Sequence, residues 1–298
     1  MIGRLVLDRF VIEEELGRGA MGTVYRGRHV ELPRRVAIKV MHAEHVQEPV
    51  LLARFYREAK LAGRLSHPNV VQVIDVGEDA GCPVMVMELA EGQSLGELMA
   101  GDPFPRERIW ELVRQLLRGL DHAHGCGLVH RDLKPDNVIV ERASDGGDLA
   151  RIVDFGIAVL CAPDEELQRL TGTGMIIGTP LYMAPEQAKA EAVDHRADLY
   201  ALGIILYELL SGRQPFTGTA MEVAVDKIDH DPPPIDGLDP IATRYLGKLV
   251  ARDPAARFAT AKDALAMLDL MHSDPDAASL ALGITDVARA LATISLPR

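Results

Sequence analysis

Three glycines are spaced as GxGxxG in Gly17-Arg18-Gly19-Ala20-Met21-Gly22-Thr23-Val24, which lies between two β-type runs, FVIEEELG and TVYRGRHV. Glycines let backbone N–H groups approach a phosphate chain with no Cβ in the way. A dinucleotide-binding fold uses the same spacing, but there the glycine loop opens a helix. Here TVYRG continues as a strand. The segment therefore calls for an antiparallel hairpin, either one that covers a phosphorylated ligand or an ordinary glycine-rich turn.

Hydrophobic periodicity divides the 298 residues into two parts. RRVAIKVM is a third β-type run, residues 50–65 place Leu51, Phe55, Ala59 and Ala62 on one helical stripe, and VVQVIDVG and PVMVMELA add two more strands. Beyond Glu88–Gly92 the character changes to helices. RERIWELVRQLLRGLDHAH puts Ile109, Val113, Leu116, Leu117 and Leu120 on one face. NVIVER and LARIVDFG flank the turn SDGGD as a hairpin, ADLYALGIILYELL is apolar nearly all round, and the segment from Ala242 to Leu268 closes with helices after the proline-rich loop HDPPPIDGLDP. The expected class is α+β and bilobal, with a small β-rich lobe over about residues 1–90 and a larger, mainly helical lobe over 91–272. Residues 273–298 stand apart: SDPD reads as a linker, and LALGITDVARALATI as a short amphipathic helix that either docks on the lobe or leads to a further region.

Charge and cysteine usage narrow the partners. With 32 basic and 44 acidic residues the net charge is −12, which disfavours nucleic acid and anionic membranes. Cys82, Cys126 and Cys161 form no CxxC pair and no His/Cys cluster stands out, so neither a disulfide framework nor a zinc site is expected, and a reducing cytoplasm is the expected location. The N-terminal run is broken by Arg4, Asp8 and Arg9, unlike a signal-peptide core. The longest apolar patch, Leu199 to Leu210, contains Glu208 and is shorter than the roughly 20 residues a bilayer requires.

Three further clusters carry chemistry. Val36-Ala37-Ile38-Lys39 sets a lysine on an apolar strand, where an unpaired ammonium is costly, and Glu58 on the following helix is the expected partner. His130-Arg131-Asp132-Leu133-Lys134-Pro135-Asp136-Asn137 and Asp154-Phe155-Gly156 bring carboxylates and an amide that suit a hard divalent ion, with Asp132 left to accept a hydroxyl proton. Singly, each reads equally as a surface charge, a polar turn or an Asp-Gly hairpin.

Together, in this order and followed by Ala184-Pro185-Glu186, these motifs resemble the protein kinases of the eukaryotic-like (Hanks-type) superfamily over about residues 10–270. HRDLKPDN and GTPLYMAPE resemble the serine/threonine branch, and HPNVV with the threonine-rich loop is most similar to its bacterial members. The resemblance implies an ATP-dependent enzyme that phosphorylates protein serine and threonine hydroxyls, with Mg²⁺ as the ion and Mn²⁺ as an alternative. It implies that Leu16, Gly17, Gly19 and Gly22 cover the nucleotide and that Val24 and Ala37 sandwich the adenine. Met87 would lie behind the base, with Glu88 to Ala90 offering backbone hydrogen bonds. Lys39 would bind the α- and β-phosphates, oriented by Glu58; Asp132 would be the base; Lys134 would steady the γ-phosphate; Asn137 and Asp154 would hold the metal. Glu186 would pair with Arg257, and Asp198 would anchor the catalytic loop.

QRLTGTGMIIGTP then falls between the metal-binding aspartate and Ala-Pro-Glu. Thr171 and Thr173 are the expected phosphoacceptors, pairing with Arg131 once modified, and Thr179 resembles the threonine of the substrate platform. Autophosphorylation in trans would require a transient homodimer. Two features depart from the family pattern: the connection from Asn137 to Asp154 is longer, as an extended hairpin over Ala143–Leu149 would make it, and Val159 stands where many relatives carry a basic residue. The chain also admits a nucleotide-binding pseudokinase, a small-molecule phosphotransferase, and a cytosolic kinase domain subordinate to a sensor beyond Arg298. The first is opposed by the presence of Lys39, Glu58, Asp132, Asn137 and Asp154, the second by the long segment from Asp154 to Glu186.

Overall fold

Val36, Ile38 and Val40 alternate with Ala37, Lys39 and Met41 along one strand, and the alternation divides the first lobe into two apolar layers. The computed structural model describes residues 1–19, 22–143, 146–155 and 180–284, without the side chains of Val50, Leu51, Arg54 and Glu58. Strands β1 (Leu5–Val6), β2 (Phe10–Arg18), β3 (Gly22–His29), β4 (Arg35–Met41), β5 (Val73–Asp79) and β6 (Cys82–Glu88) form an antiparallel sheet in the order β1-β2-β3-β4-β6-β5. Val36, Ile38, Val40, Val84 and Val86 pack with Phe10 and Ile12 on one face. Ala37, Met41, Met85 and Met87 pack on the other against Phe55 and Ala59 of α2 (Pro49–Ala62), which follows the single turn of α1 (Ala43–Val46). Alternation thus places Lys39 on the helix-facing side of the sheet.

The second lobe is built on α4 (Arg106–Gly125) and α6 (Arg196–Ser211), preceded by α3 (Leu95–Met99) and α5 (Pro185–Ala188). Ile109, Val113, Leu116, Leu117 and Leu120 are all buried, as their helical spacing predicts. Helix α6 is buried from Ala197 to Leu209, the environment that an all-round apolar helix requires. At Gly203 α6 lies tight against the end of its neighbour: a Cβ there would lie 2.6 Å from Val250 Cγ1. Helices α7 (Ala220–Asp229), α8 (Pro240–Leu249) and α9 (Ala261–Ser273) complete the lobe, and Thr219, Asp239 and Thr260 cap them through side-chain oxygens.

Between the lobes, β7 (Gln93–Ser94), β8 (Val138–Arg142) and β9 (Asp148–Ile152) form a small antiparallel sheet, with β8 and β9 making the expected hairpin. Its turn is closed by Ala143 N donating to Gly147 O at 2.9 Å. The buried Asn69 amide donates to Gln115 Oε1 (3.1 Å) and Ala150 O (2.8 Å), and Ile152 N donates to Asn69 O (2.9 Å). The strand leading to Asp154 is therefore tied to the connection from the first lobe.

Residues 273–276, expected as a linker, are a junction between helices. Asp274 accepts from Ala277 N at 3.0 Å and caps α10 (Pro275–Ala281), whose Ala278 is buried together with Leu282 beyond its end. Packing continues at least to Ile284, which lies against the main core. The amphipathic helix expected over 280–294 falls, from residue 285 onward, outside the described residues.

Candidate active site

Lys39 lies opposite Val24 on β3 and Met85 on β6, and Ala37 lies opposite Met87. Ala37 and Met87 are buried in one layer, with Val24 packed against it, so these residues form an apolar ceiling beside the ammonium. At the edge of the hairpin Gly19 N donates to Gly22 O (2.9 Å), and a Cβ on Gly22 would fall 2.4 Å from Val40 O. Only glycine allows β3 to lie this close to β4 there. Among the described residues no atom within 4 Å would meet a Cβ on Gly17, and Leu16 is exposed.

Lys39 is 12% exposed, and its Nζ donates to Asp154 Oδ1 at 2.8 Å. The expected partner Glu58 is on α2, but its side chain lies outside the described residues. Burial opposes ionisation of Asp154, yet the Lys39 charge and hydrogen bond, with His130 and Lys134, hold the carboxyl below its ordinary value. Asp154 and Arg131 both have left-handed backbones, with φ of 55° and 64°. For residues other than glycine this conformation costs about 1–2 kcal/mol, which the surrounding hydrogen bonds must offset.

Those bonds converge on Asp198, buried at the start of α6. Its Oδ2 accepts from His130 N and its Oδ1 from Arg131 N, both at 2.8 Å, while His124 Nε2 lies 2.8 Å from Oδ2. Burial pushes the Asp198 carboxyl upward, but His124 and His130 outweigh it and keep the group acidic. His130 is itself fully buried, with Nε2 3.0 Å from Val153 O and its ring 4.8 Å from that of Phe155. One carboxylate thus fixes the turn that presents Asp132 and, through His130, the strand end that presents Asp154.

Asp132 is more than a third exposed, with Lys134 Nζ 3.2 Å from its Oδ2. Asn137, at the end of the 3-10 turn Pro135–Asn137, donates Nδ2 to Asp132 O at 2.7 Å and to Oδ2 at 3.3 Å. Lys39, Asp132, Lys134, Asn137 and Asp154 form one cluster, joined where Val153 N donates to Asn137 O at 2.9 Å. The strand connecting the lobes borders it: Glu88 N donates to Gln72 O (2.9 Å), and the Glu88 carboxylate pairs with Arg34 (3.1 Å) and Arg151. The Ala90 N–H and C=O make no hydrogen bond among the described residues.

Glu186 and Arg257 form two hydrogen bonds of 2.7 Å, with the Arg257 guanidinium 5.0 Å from the Tyr200 ring. Gln187 Nε2 donates to Arg131 O (2.8 Å) and links this segment to the turn that carries Asp132. Arg131 Nε is buried without a partner among the described residues. Gly156, Val159, Cys161, Thr171, Thr173 and Thr179 lie outside them.

Two further contacts beyond the sequence expectations involve Lys227 and Tyr182. Lys227 on α7 is fully buried and donates to Leu181 O (2.8 Å), Met183 O (2.6 Å) and Pro180 O. Tyr182 donates its hydroxyl to Glu208 Oε2 at 2.6 Å. Both hold the segment leading into Ala184-Pro185-Glu186. The signal for Lys227 is its position one turn after Val223, on the inward face of its helix.

Comparison with known proteins agrees with this arrangement. Residues 10–268 match the family model for the protein kinase domain. The chain is 37% identical over 270 residues to the serine/threonine-protein kinase pkn3 of Myxococcus xanthus, covering 88% of this chain and 49% of that protein. It is 40% identical over 269 residues to PknL of Mycobacterium bovis, covering 88% of this chain and 65% of that one. The chain thus spans from about half to just under two thirds of the length of these relatives. The crystal structure of the Mycobacterium tuberculosis PknI kinase domain superposes with a TM-score of 0.68 at 27% identity, over 90% of this chain and 98% of that one. The chain belongs to the protein kinase domain family, and the relatives it resembles are bacterial serine/threonine-protein kinases.

Proposed function

We propose that this chain transfers the γ-phosphoryl group of ATP to serine and threonine hydroxyls of proteins. The observation that carries the reading is the cluster in which Asp154 lies 2.8 Å from Lys39 and Asp132 lies within 3.3 Å of Lys134 and Asn137. Phosphoryl transfer depends on positioning and charge neutralisation more than on covalent help. Lys39 binds the α- and β-phosphates, and its pairing with Asp154 keeps the ammonium in place before the nucleotide arrives. Asp132 takes the proton of the incoming hydroxyl, and Lys134 beside it reaches the γ-phosphate. Ala90 offers its backbone groups to the adenine edge beneath Val24, Ala37 and Met87.

The donor set suits a hard cation. Asn137 turns its amide nitrogen toward Asp132, leaving Oδ1 for an ion, and Asp154 gives one oxygen to Lys39 and keeps the other. Oxygen donors of this kind fit Mg²⁺, with Mn²⁺ as the alternative. When bound, the ion supplies positive charge to the phosphate oxygens. Autophosphorylation of Thr171 and Thr173 through a transient homodimer belongs to the same reading, and the unpartnered Arg131 Nε supports it. Thr179 serves the substrate platform, unmodified.

The test is labelling of Ser-, Thr- and Tyr-containing peptides with γ-labelled ATP and Mg²⁺, followed by phosphoamino-acid analysis. Labelled serine and threonine are expected, falling by about 10²–10⁴ in Asp132→Asn. Labelled tyrosine alone, or an undiminished rate in the variant, overturns the reading.

A further inference from the structure

His42 follows the last residue of β4 and precedes the single turn of α1, so His42 and His45 are three residues apart on one side of that turn. Their rings are nearly parallel, 20° apart in plane with centroids 6.4 Å apart. Glu44 Oε1 lies 4.0 Å from His42 Nδ1 and 3.7 Å from His45 Nε2. One donor atom from each of the three residues falls within 4.8 Å of the other two.

The orientation of His42 is set from outside the cluster. Its Nε2 lies 3.2 Å from Thr23 Oγ1, next to the last glycine of the hairpin. When the Thr23 hydroxyl accepts from Nε2–H, the lone pair of the neutral ring is on Nδ1, the atom nearest Glu44. A metal-ligating histidine characteristically has its second nitrogen held in this way.

We propose that His42, Glu44 and His45 bind a divalent transition-metal ion, with Zn²⁺ as the best fit. Two imidazoles and a carboxylate match its preference, at metal–donor distances of about 2.0–2.2 Å, and a tetrahedral site separates its donors by about 3.4 Å. The measured separations require the donors to close by roughly 0.3–1.4 Å, which rotation of the His45 ring and of the 75% exposed Glu44 side chain can supply while Thr23 holds His42. Solvent fills the fourth position. This donor set is distinct from that of Asn137 and Asp154, which offer oxygen alone. An ion here would tie the end of β4, which carries Lys39, to the turn of α1, with His42 held in turn by Thr23 of β3. No cysteine takes part, which is why the cysteine pattern gives no sign of it.

The test titrates Zn²⁺ into the EDTA-stripped full chain by calorimetry and records the visible absorption of added Co²⁺. Asp154→Asn removes the other metal site, and binding at His42, Glu44 and His45 is expected to survive there with a tetrahedral Co²⁺ spectrum. His45→Ala and Glu44→Gln in that background are each expected to weaken Zn²⁺ at least tenfold while melting as the parent does in EDTA. If His45→Ala fails to fold, the exposed Glu44→Gln change carries the decision. Absence of Zn²⁺ binding in Asp154→Asn, or affinity unchanged by Glu44→Gln and His45→Ala, overturns the proposal and leaves a histidine–glutamate ion pair.

Discussion

Lys39 Nζ and Asp154 Oδ1 lie 2.8 Å apart although 115 residues separate them in the chain. The pair joins a strand of the first lobe to the loop after β9, and the Lys39 ammonium helps to keep the Asp154 carboxyl ionised. Lys39→Met removes the main charge that holds Asp154 ionised, so the pKa of the Asp154 carboxyl should rise, with burial opposed only by His130 and Lys134. Phosphoryl transfer is expected to fall by about 10²–10³, the usual cost of losing one preorganised electrostatic contact. Steady-state labelling assays check the rate, and circular dichroism should show the fold retained.

Asp198 carries a different load, since its carboxylate receives two backbone N–H groups and His124. Its folded-state pKa is held below the ordinary carboxylate value of 3.8. The stabilisation is therefore present above that value and is lost as pH falls through the lower folded value. Asp198→Asn should destabilise the chain by roughly 1–3 kcal/mol at pH 7. The difference from wild type should narrow as pH drops below about 4, measured as urea midpoints across the acid range.

The sheet is legible in the sequence because β4 and β6 alternate Val and Ile with Ala and Met, a period that only a strand sorts onto two faces. Helices α4 and α6 are legible from their apolar spacing, whereas the roles of Asp132, Asn137 and Asp154 rest on motif resemblance. The Lys39–Asp154 pairing is hidden because only the folded chain brings residues so far apart in sequence together. Asp274-Pro275 misleads for a specific reason: the pair that ends a lobe in a linker is equally an N-cap followed by proline at the first helical position. Left-handed Arg131 and Asp154 have no glycine to betray them.

Arg131 suggests how the threonine-rich loop acts. Its Nε is buried with no partner among the described residues, and Gln187 holds its carbonyl. A phosphothreonine dianion would supply the missing acceptor. Combined Thr171→Ala and Thr173→Ala changes should lower activity about tenfold, while Thr179→Ala should nearly abolish it, a range consistent with loop-ordering effects. Phosphosite mapping after incubation with ATP, with Asp132→Asn as control, reads the acceptors directly. Equal losses from all three threonines would refute the division.

Lys227 tests the platform from beneath. Burial lowers its ammonium from 10.5 to about 7, and its hydrogen-bond partners among the described residues are three neutral carbonyl oxygens. Above pH 7 the unfolded chain therefore binds a proton that the folded chain does not, so this group makes stability rise with pH until about 10.5. Lys227→Met abolishes that contribution: its stability relative to wild type should decline steadily from pH 7 to pH 10 in denaturant titrations. The change also frees the carbonyls of Pro180, Leu181 and Met183 next to Ala184-Pro185-Glu186. The KM for a peptide substrate should therefore rise several-fold while the KM for ATP stays near wild type, since the proposed nucleotide contacts lie on β3, β4 and the segment connecting the lobes. A parallel rise in both KM values would instead point to general loosening of the lobe.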